Sequence, residues 1–129
     1  MNDSPTPAEL LAAVSRFMRD EVMPLLTGAT AYQARVAANM LDIASRQWAL
    51  TPAQDAEELQ RLCALLGRDV ALAEGNRLLC EHLAAGRLTL VTPGMADHLW
   101  RTTLAKLAVD QPSYDTYRRL LAPSEDKES

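Results

Sequence analysis

Three Thr-Pro dipeptides constrain where the helices of this chain can begin. Thr6-Pro7-Ala8-Glu9 and Thr51-Pro52-Ala53-Gln54 each place a Thr at an N-cap, a Pro at the first helical position and an acid or amide three residues after the Thr. The Thr oxygen accepts an orphan N–H, Pro has none to leave unpaired, and Glu9 or Gln54 can reach back to the cap. Thr92-Pro93 repeats the start without the return partner. From these starts, periodic apolar residues predict a first helix from Pro7 to about Met23. Leu11, Val14, Met18 and Val22 form its inner stripe, widened by Leu10 and Phe17. A second helix runs from about Thr30 to Leu50 with Val36, Met40, Ala44 and Trp48 facing inward. A third spans Pro52 to Leu66, stopped by Gly67. A fourth runs from Asp69 to Gly86, a fifth from Pro93 to about Val109, and a short one from Pro112 to Leu121. Arg87–Val91 reads as an extended connector.

Composition agrees with helices. The chain is 48% hydrophobic but carries only two Trp, three Tyr and one Phe, so Leu, Ala, Val and Met must build the core. The expected fold is all-α: one domain of 129 residues, an antiparallel bundle of five to six helices. Residues 1–6 form an N-terminal lead, 7–121 the bundle, and 122–129 a disordered acidic tail.

Charge and motif content exclude several functions. A net charge of −4 with no basic stripe argues against nucleic acid. No apolar run approaches a membrane span, and the first residues lack a secretory pattern, so the cytoplasm is expected. Cys63 and Cys80 belong to no C-x-x-C pair and read as small buried hydrophobes. His82 and His98 each neighbour an acid in sequence. Adjacent helical residues point about 100° apart, so these pairs suit neither metal nor acid–base work, and both histidines read as surface residues. Glu57 and Glu58 read as solvated acids. No catalytic residue, metal ligand or cofactor is expected.

Three polar features stand out. Arg35, Asn39, Asp42 and Arg46 fall at spacings of four, three and four, making one stripe on the second helix. As structure this is a solvated face; as function, Arg35 and Asn39 would meet a ligand or a neighbouring chain. Asn76 interrupts the apolar face of Leu72, Leu79 and Leu83, beside Gly75. Gly75 would let another helix approach, and Asn76 would bond across to it, with ligand contact as the other reading. The run Lys106-Leu107-Ala108-Val109-Asp110-Gln111-Pro112-Ser113-Tyr114 makes a helix corner, because Pro112 ends the helix before it. Asp110 or Gln111 would cap the next helix, and Lys106 could pair with Asp110. The candidate binding residues are therefore Arg35, Asn39, Asn76, Lys106, Asp110 and Tyr114. An Arg35–Asp110 ion pair joining the two motifs is the sharpest expectation.

Those motifs carry a resemblance. Arg35-Val36-Ala37-Ala38-Asn39-Met40-Leu41, Asn76-Arg77-Leu78-Leu79-Cys80 and the Lys106–Tyr114 run are similar to the hallmarks of an uncharacterised bacterial family of small helical proteins, over roughly Pro5 to Leu121. Its members resemble domains encoded beside, or fused to, aminoglycoside-phosphotransferase-like kinases, often with an acyl-CoA dehydrogenase nearby. Two positions depart from that pattern. Tyr32-Gln33 stands where an aromatic followed by His is expected, and the Gly67-Arg68-Asp69 turn is poorer in glycine and acid.

The resemblance implies a partner more than a reaction. The leading expectation is a non-catalytic accessory domain that docks on a kinase-like or acyl-CoA dehydrogenase-like partner, or on itself as a homo-oligomer. The alternative is a small-molecule or acyl-chain-binding bundle with weak enzymatic activity. A cavity lined by Asn76, Cys80 and Trp100 would favour the alternative. An exposed apolar face on the first or last helix would favour docking.

Overall fold

A computed structural model of the chain describes residues 4–123. Five α-helices make up the fold, and no strand occurs among the described residues. They are α1 (Pro7–Phe17), α2 (Gly28–Leu66), α3 (Leu72–Ala84), α4 (Met95–Asp110) and α5 (Asp115–Leu121). The chain divides into two compact units, Met1–Gln54 and Asp55–Ser129. The expected tail beyond Pro123 and the first three residues of the lead lie outside the described residues.

In the first unit the Thr6 start forms as its chemistry demands. Thr6 Oγ1 accepts from the Glu9 N–H at 3.2 Å, and Glu9 Oε2 accepts from the Thr6 N–H at 3.4 Å. Beyond Phe17 the helix widens into a π-helical turn, Met18–Val22, then tightens to a 3₁₀ turn, Met23–Leu25. Pro24 explains the change: it has no N–H for the Asp20 carbonyl, and its ring would strike that carbonyl in a regular α-helix. The chain then returns along α2, antiparallel to α1. Ser45 Oγ donates to the Ala8 carbonyl at 3.0 Å, and Ser15 Oγ to the Ala38 carbonyl at 3.4 Å. Ala34 and Ala38 are buried at this contact, where small side chains let two backbones come close.

The facing of both helices differs from the expected stripes. Leu10, Val14 and Phe17 of α1 are exposed, while Ser15 is buried. Met40 and Trp48 of α2 are exposed too, and Asp42 of the supposedly solvated stripe is half-buried. The contact is centred on alanines and serines, so the bulkiest apolar residues flank it.

The second correction concerns Thr51-Pro52. No helix starts there, because α2 runs unbroken from Gly28 to Leu66 with Pro52 inside it. Trp48-Ala49-Leu50 before it and Ala53-Gln54-Asp55-Ala56 after it contain no glycine and no second proline. The hydrogen-bond ladder therefore continues around one missing N–H.

In the second unit, Leu62, Leu79 and Met95 form the core, with Leu65, Leu72, Leu83 and Leu88 packed around it. Gly67, at φ 67°, ends α2 as expected, its N–H bonded to the Cys63 carbonyl at 2.9 Å. Gly75 permits a close approach: a Cβ there would stand 2.8 Å from Val70 Cγ2 and 3.3 Å from Leu62 Cδ1. Because Val70 folds onto this spot from an extended connector, α3 begins at Leu72 and not at Asp69.

Two other starts also shift. Thr92-Pro93-Gly94-Met95 forms a type II turn, with the Met95 N–H bonded to the Thr92 carbonyl at 3.0 Å and Gly94 at φ 85°. The Thr92 hydroxyl accepts from the Thr89 N–H within the preceding loop, so α4 starts at Met95 with no side-chain cap. After Asp110, a turn closed by the Tyr114 N–H on the Gln111 carbonyl at 3.0 Å occupies Pro112-Ser113. The last helix therefore opens at Asp115, capped by neither Asp110 nor Gln111. Cys80 is exposed, so it is not the buried hydrophobe expected.

Candidate functional site

The densest polar arrangement of the first unit lies between α1 and α2. Arg19 sits in the π-helical turn, which aims its guanidinium at α2. Its Nη2 donates to Asn39 Oδ1 at 2.7 Å and to Asp42 Oδ2 at 2.7 Å. From the turn before, Ser15 Oγ donates to Asp42 Oδ1. Partial burial works to raise the Asp42 pKa. The hydrogen bonds from Ser15 and Arg19 and the positive charges of Arg19 and Arg46 outweigh it, holding the carboxyl below the ordinary aspartate range. These bonds run from α1 and its π-helical extension to α2, so the seam fastens the two helices.

Across the α1–α2 contact from this seam lies a groove of about 500 Å³, lined by Leu11, Ala44, Gln47, Trp48, Thr51 and Pro52. None of these residues is charged. Pro52 has no N–H, so the Trp48 carbonyl loses the bond that residue 52 of a regular helix would donate to it.

In the second unit, the expected surface residue His98 is only 2% exposed. It lies one turn inside α4, facing the second-unit part of α2. Arg61 Nε donates to His98 Nδ1 at 3.2 Å, and Arg61 Nη2 to Thr102 Oγ1 at 3.4 Å. An Nδ1 that accepts requires neutral imidazole with its proton on Nε2. Burial first, and then the charge of Arg61, lower the His98 pKa, against smaller opposing effects of Glu58 and Asp97. Glu58 is itself half-buried, not a solvated acid, and accepts from Asn76 Nδ2 at 3.0 Å. The same amide also donates to the Leu72 carbonyl at 3.2 Å. Among the described residues no group of three or more His, Cys, Asp or Glu could hold a metal ion.

The sequence-derived candidates are distributed over the two units. Arg35 and Asn39 belong to the first unit; Asn76, Lys106, Asp110 and Tyr114 belong to the second. Asn39 joins the seam, but its partner is Arg19. Arg35 is exposed and takes part in no ion pair among the described residues. Asn76 bonds across to α2 as its position in an apolar face implies. Lys106, Asp110 and Tyr114 are exposed, and no ion pair joins Lys106 to Asp110. Sequence reasoning assigned no role to Ser15, Arg19 and Arg61, took His98 for a surface residue and placed Trp48 on the inward face of the second helix. A serine inside an apolar stripe was the one signal that could have found the seam.

Comparison with known proteins gives one result. No curated protein and no solved structure matches the chain. A family profile described as "Domain of unknown function (DUF6285)" matches residues 24–114. That stretch holds all three motifs, Arg35–Leu41, Asn76–Cys80 and Lys106–Tyr114, and begins after α1. With most of its length matched, the chain belongs to the DUF6285 family.

Proposed function

We propose that this chain is a non-catalytic docking module, and that the outer face of α1 is its contact surface. One observation carries the reading. Leu10, Val14 and Phe17 fall at i, i+4 and i+7 on one side of α1 and are 53%, 49% and 58% exposed. A row of large apolar side chains left in water on a helix face marks an interaction site. The Arg19–Asp42 seam and the Arg61–His98 contact each tie one helix to another, which suits a scaffold. The resemblance of the motifs points to an aminoglycoside-phosphotransferase-like kinase or an acyl-CoA dehydrogenase as partner.

Size-exclusion chromatography with light scattering tests this, using the chain mixed with a kinase of that type and, separately, a dehydrogenase from the same genome. One of the two should co-elute with the parent chain and fail to co-elute with a Val14→Glu/Phe17→Glu variant that keeps its helical circular dichroism. Absence of any complex, or a complex indifferent to the double substitution, rejects the reading.

A further inference from the structure

We propose that the groove between α1 and α2 binds a neutral, elongated apolar molecule carrying one N–H or O–H donor, of which a medium-chain primary amide is the simplest example. The groove is separate from the outer face of α1, and the inference does not depend on docking there.

Size is the first argument. A volume of about 500 Å³ lies within the range of about 300–1,000 Å³ typical of small-molecule sites. Polarity is the second. Leu11, Ala44, Pro52 and the Trp48 ring face give apolar walls, and the polar groups of the lining side chains, on Gln47, Thr51 and the indole N–H, are all uncharged. A carboxylate or ammonium group entering here would lose water and find no opposite charge among the lining residues. The Trp48 indole, 61% exposed, offers a rigid flat wall whose apolar face is still in water.

The backbone supplies the third argument and the one specific feature. Trp48 and Pro52, one helical turn apart, both line the groove. Between them the helix lacks the N–H that would have bonded to the Trp48 carbonyl. Proline also holds the turns of a helix apart at that carbonyl. The Trp48 carbonyl, which receives no N–H from residue 52, thus belongs to a residue of the groove wall. A ligand N–H or O–H would replace the missing helical bond, while its chain covers the indole and Leu11. A molecule of the same length without a donor would gain only the apolar contact.

Isothermal titration calorimetry of the full chain with octanamide, methyl octanoate and octanoate separates these contributions. Octanamide should bind saturably at one site, with the ester and the carboxylate each at least tenfold weaker. Ala44→Phe, which places a phenyl ring in the groove, should abolish the binding, and Trp48→Ala should weaken it at least tenfold. Trp48 is mostly exposed, so the latter variant keeps the test readable even if the former does not fold. Pro52→Ala restores the N–H and should bring the amide and ester affinities together. The proposal fails if octanamide does not saturate, if octanoate binds as well as the amide, or if a folded Ala44→Phe still binds. It fails equally if Pro52→Ala leaves the preference for the amide intact.

Discussion

Arg19 and Asp42 face each other across the α1–α2 contact, with Nη2 2.7 Å from Oδ2. The value of this pair to the fold is limited by water, because each side chain keeps about a third of its surface exposed. Asp42→Asn should therefore cost about 1 kcal/mol, nearer to a surface pair than to a buried one. Urea titration followed by circular dichroism measures this, and no loss of stability would show that the seam does not hold the two helices.

The same carboxylate gives a pH signature. Its pKa is lower in the folded chain than in the unfolded one, so the unfolded state takes up the proton first. The stabilisation is present at neutral pH and is lost as pH falls below about 4, through the lowered folded value. Denaturation midpoints of the parent and Asp42→Asn should converge below that pH. Midpoints that stay parallel down to pH 2 would contradict the assignment.

His98 should produce a second, separate window. Its folded pKa is lowered, so between that value and the ordinary histidine value of about 6.5 the unfolded chain binds the extra proton. Stability should fall with falling pH in that window. In a His82→Gln background the remaining imidazole, followed by NMR, should titrate below the ordinary value. Titration at or above about 6.5 would place His98 in water.

Gly75→Ala sets helix propensity against space. Alanine would favour α3 by about 1 kcal/mol. Its Cβ would stand 2.8 Å from Val70 Cγ2, and Val70 would have to move. Overpacking of this kind costs about 1–3 kcal/mol, so the net change should be a loss. Adding Val70→Ala should recover most of it, and a thermal melt of the three variants decides whether the contact is responsible.

Pro52→Ala should raise stability by up to about 3 kcal/mol, the cost of a proline inside a helix. Thr51→Ala should leave stability nearly unchanged, because Thr51 lies within α2 and caps nothing. A loss of about 1 kcal/mol from Thr51→Ala would restore the helix start that its sequence implies.

The Thr6 and Thr51 segments show where reading from sequence reaches and where it stops. Both have the same cap chemistry, yet only Thr6 follows a segment that is not already helical. At Thr51 the upstream residues continue the helix, and a local signal cannot weigh that against the loss of one bond. Helix content, the Gly67 stop and the Asn76 bridge were legible because each depends on neighbours within a turn or on an amide in an apolar face. The buried face of α2 was not. Hydrophobic period favoured Met40 and Trp48, but a helix pair that packs on Ala34, Ala38 and Ser15 chooses close approach over bulk. His98 was hidden for a related reason: its partner Arg61 comes from an element 37 residues away, and nothing in the local sequence announces it.

Trp48 and Trp100 are 61% and 50% exposed, while the aromatic side chain buried in the second unit is Tyr117, at 8%. The intrinsic emission of this protein is therefore a report from its surface. Unfolding should redden it little, since both indoles already contact solvent, whereas a molecule settling over Trp48 should shift it to the blue. A spectroscopist who followed emission alone would see an occupied groove more clearly than a lost fold.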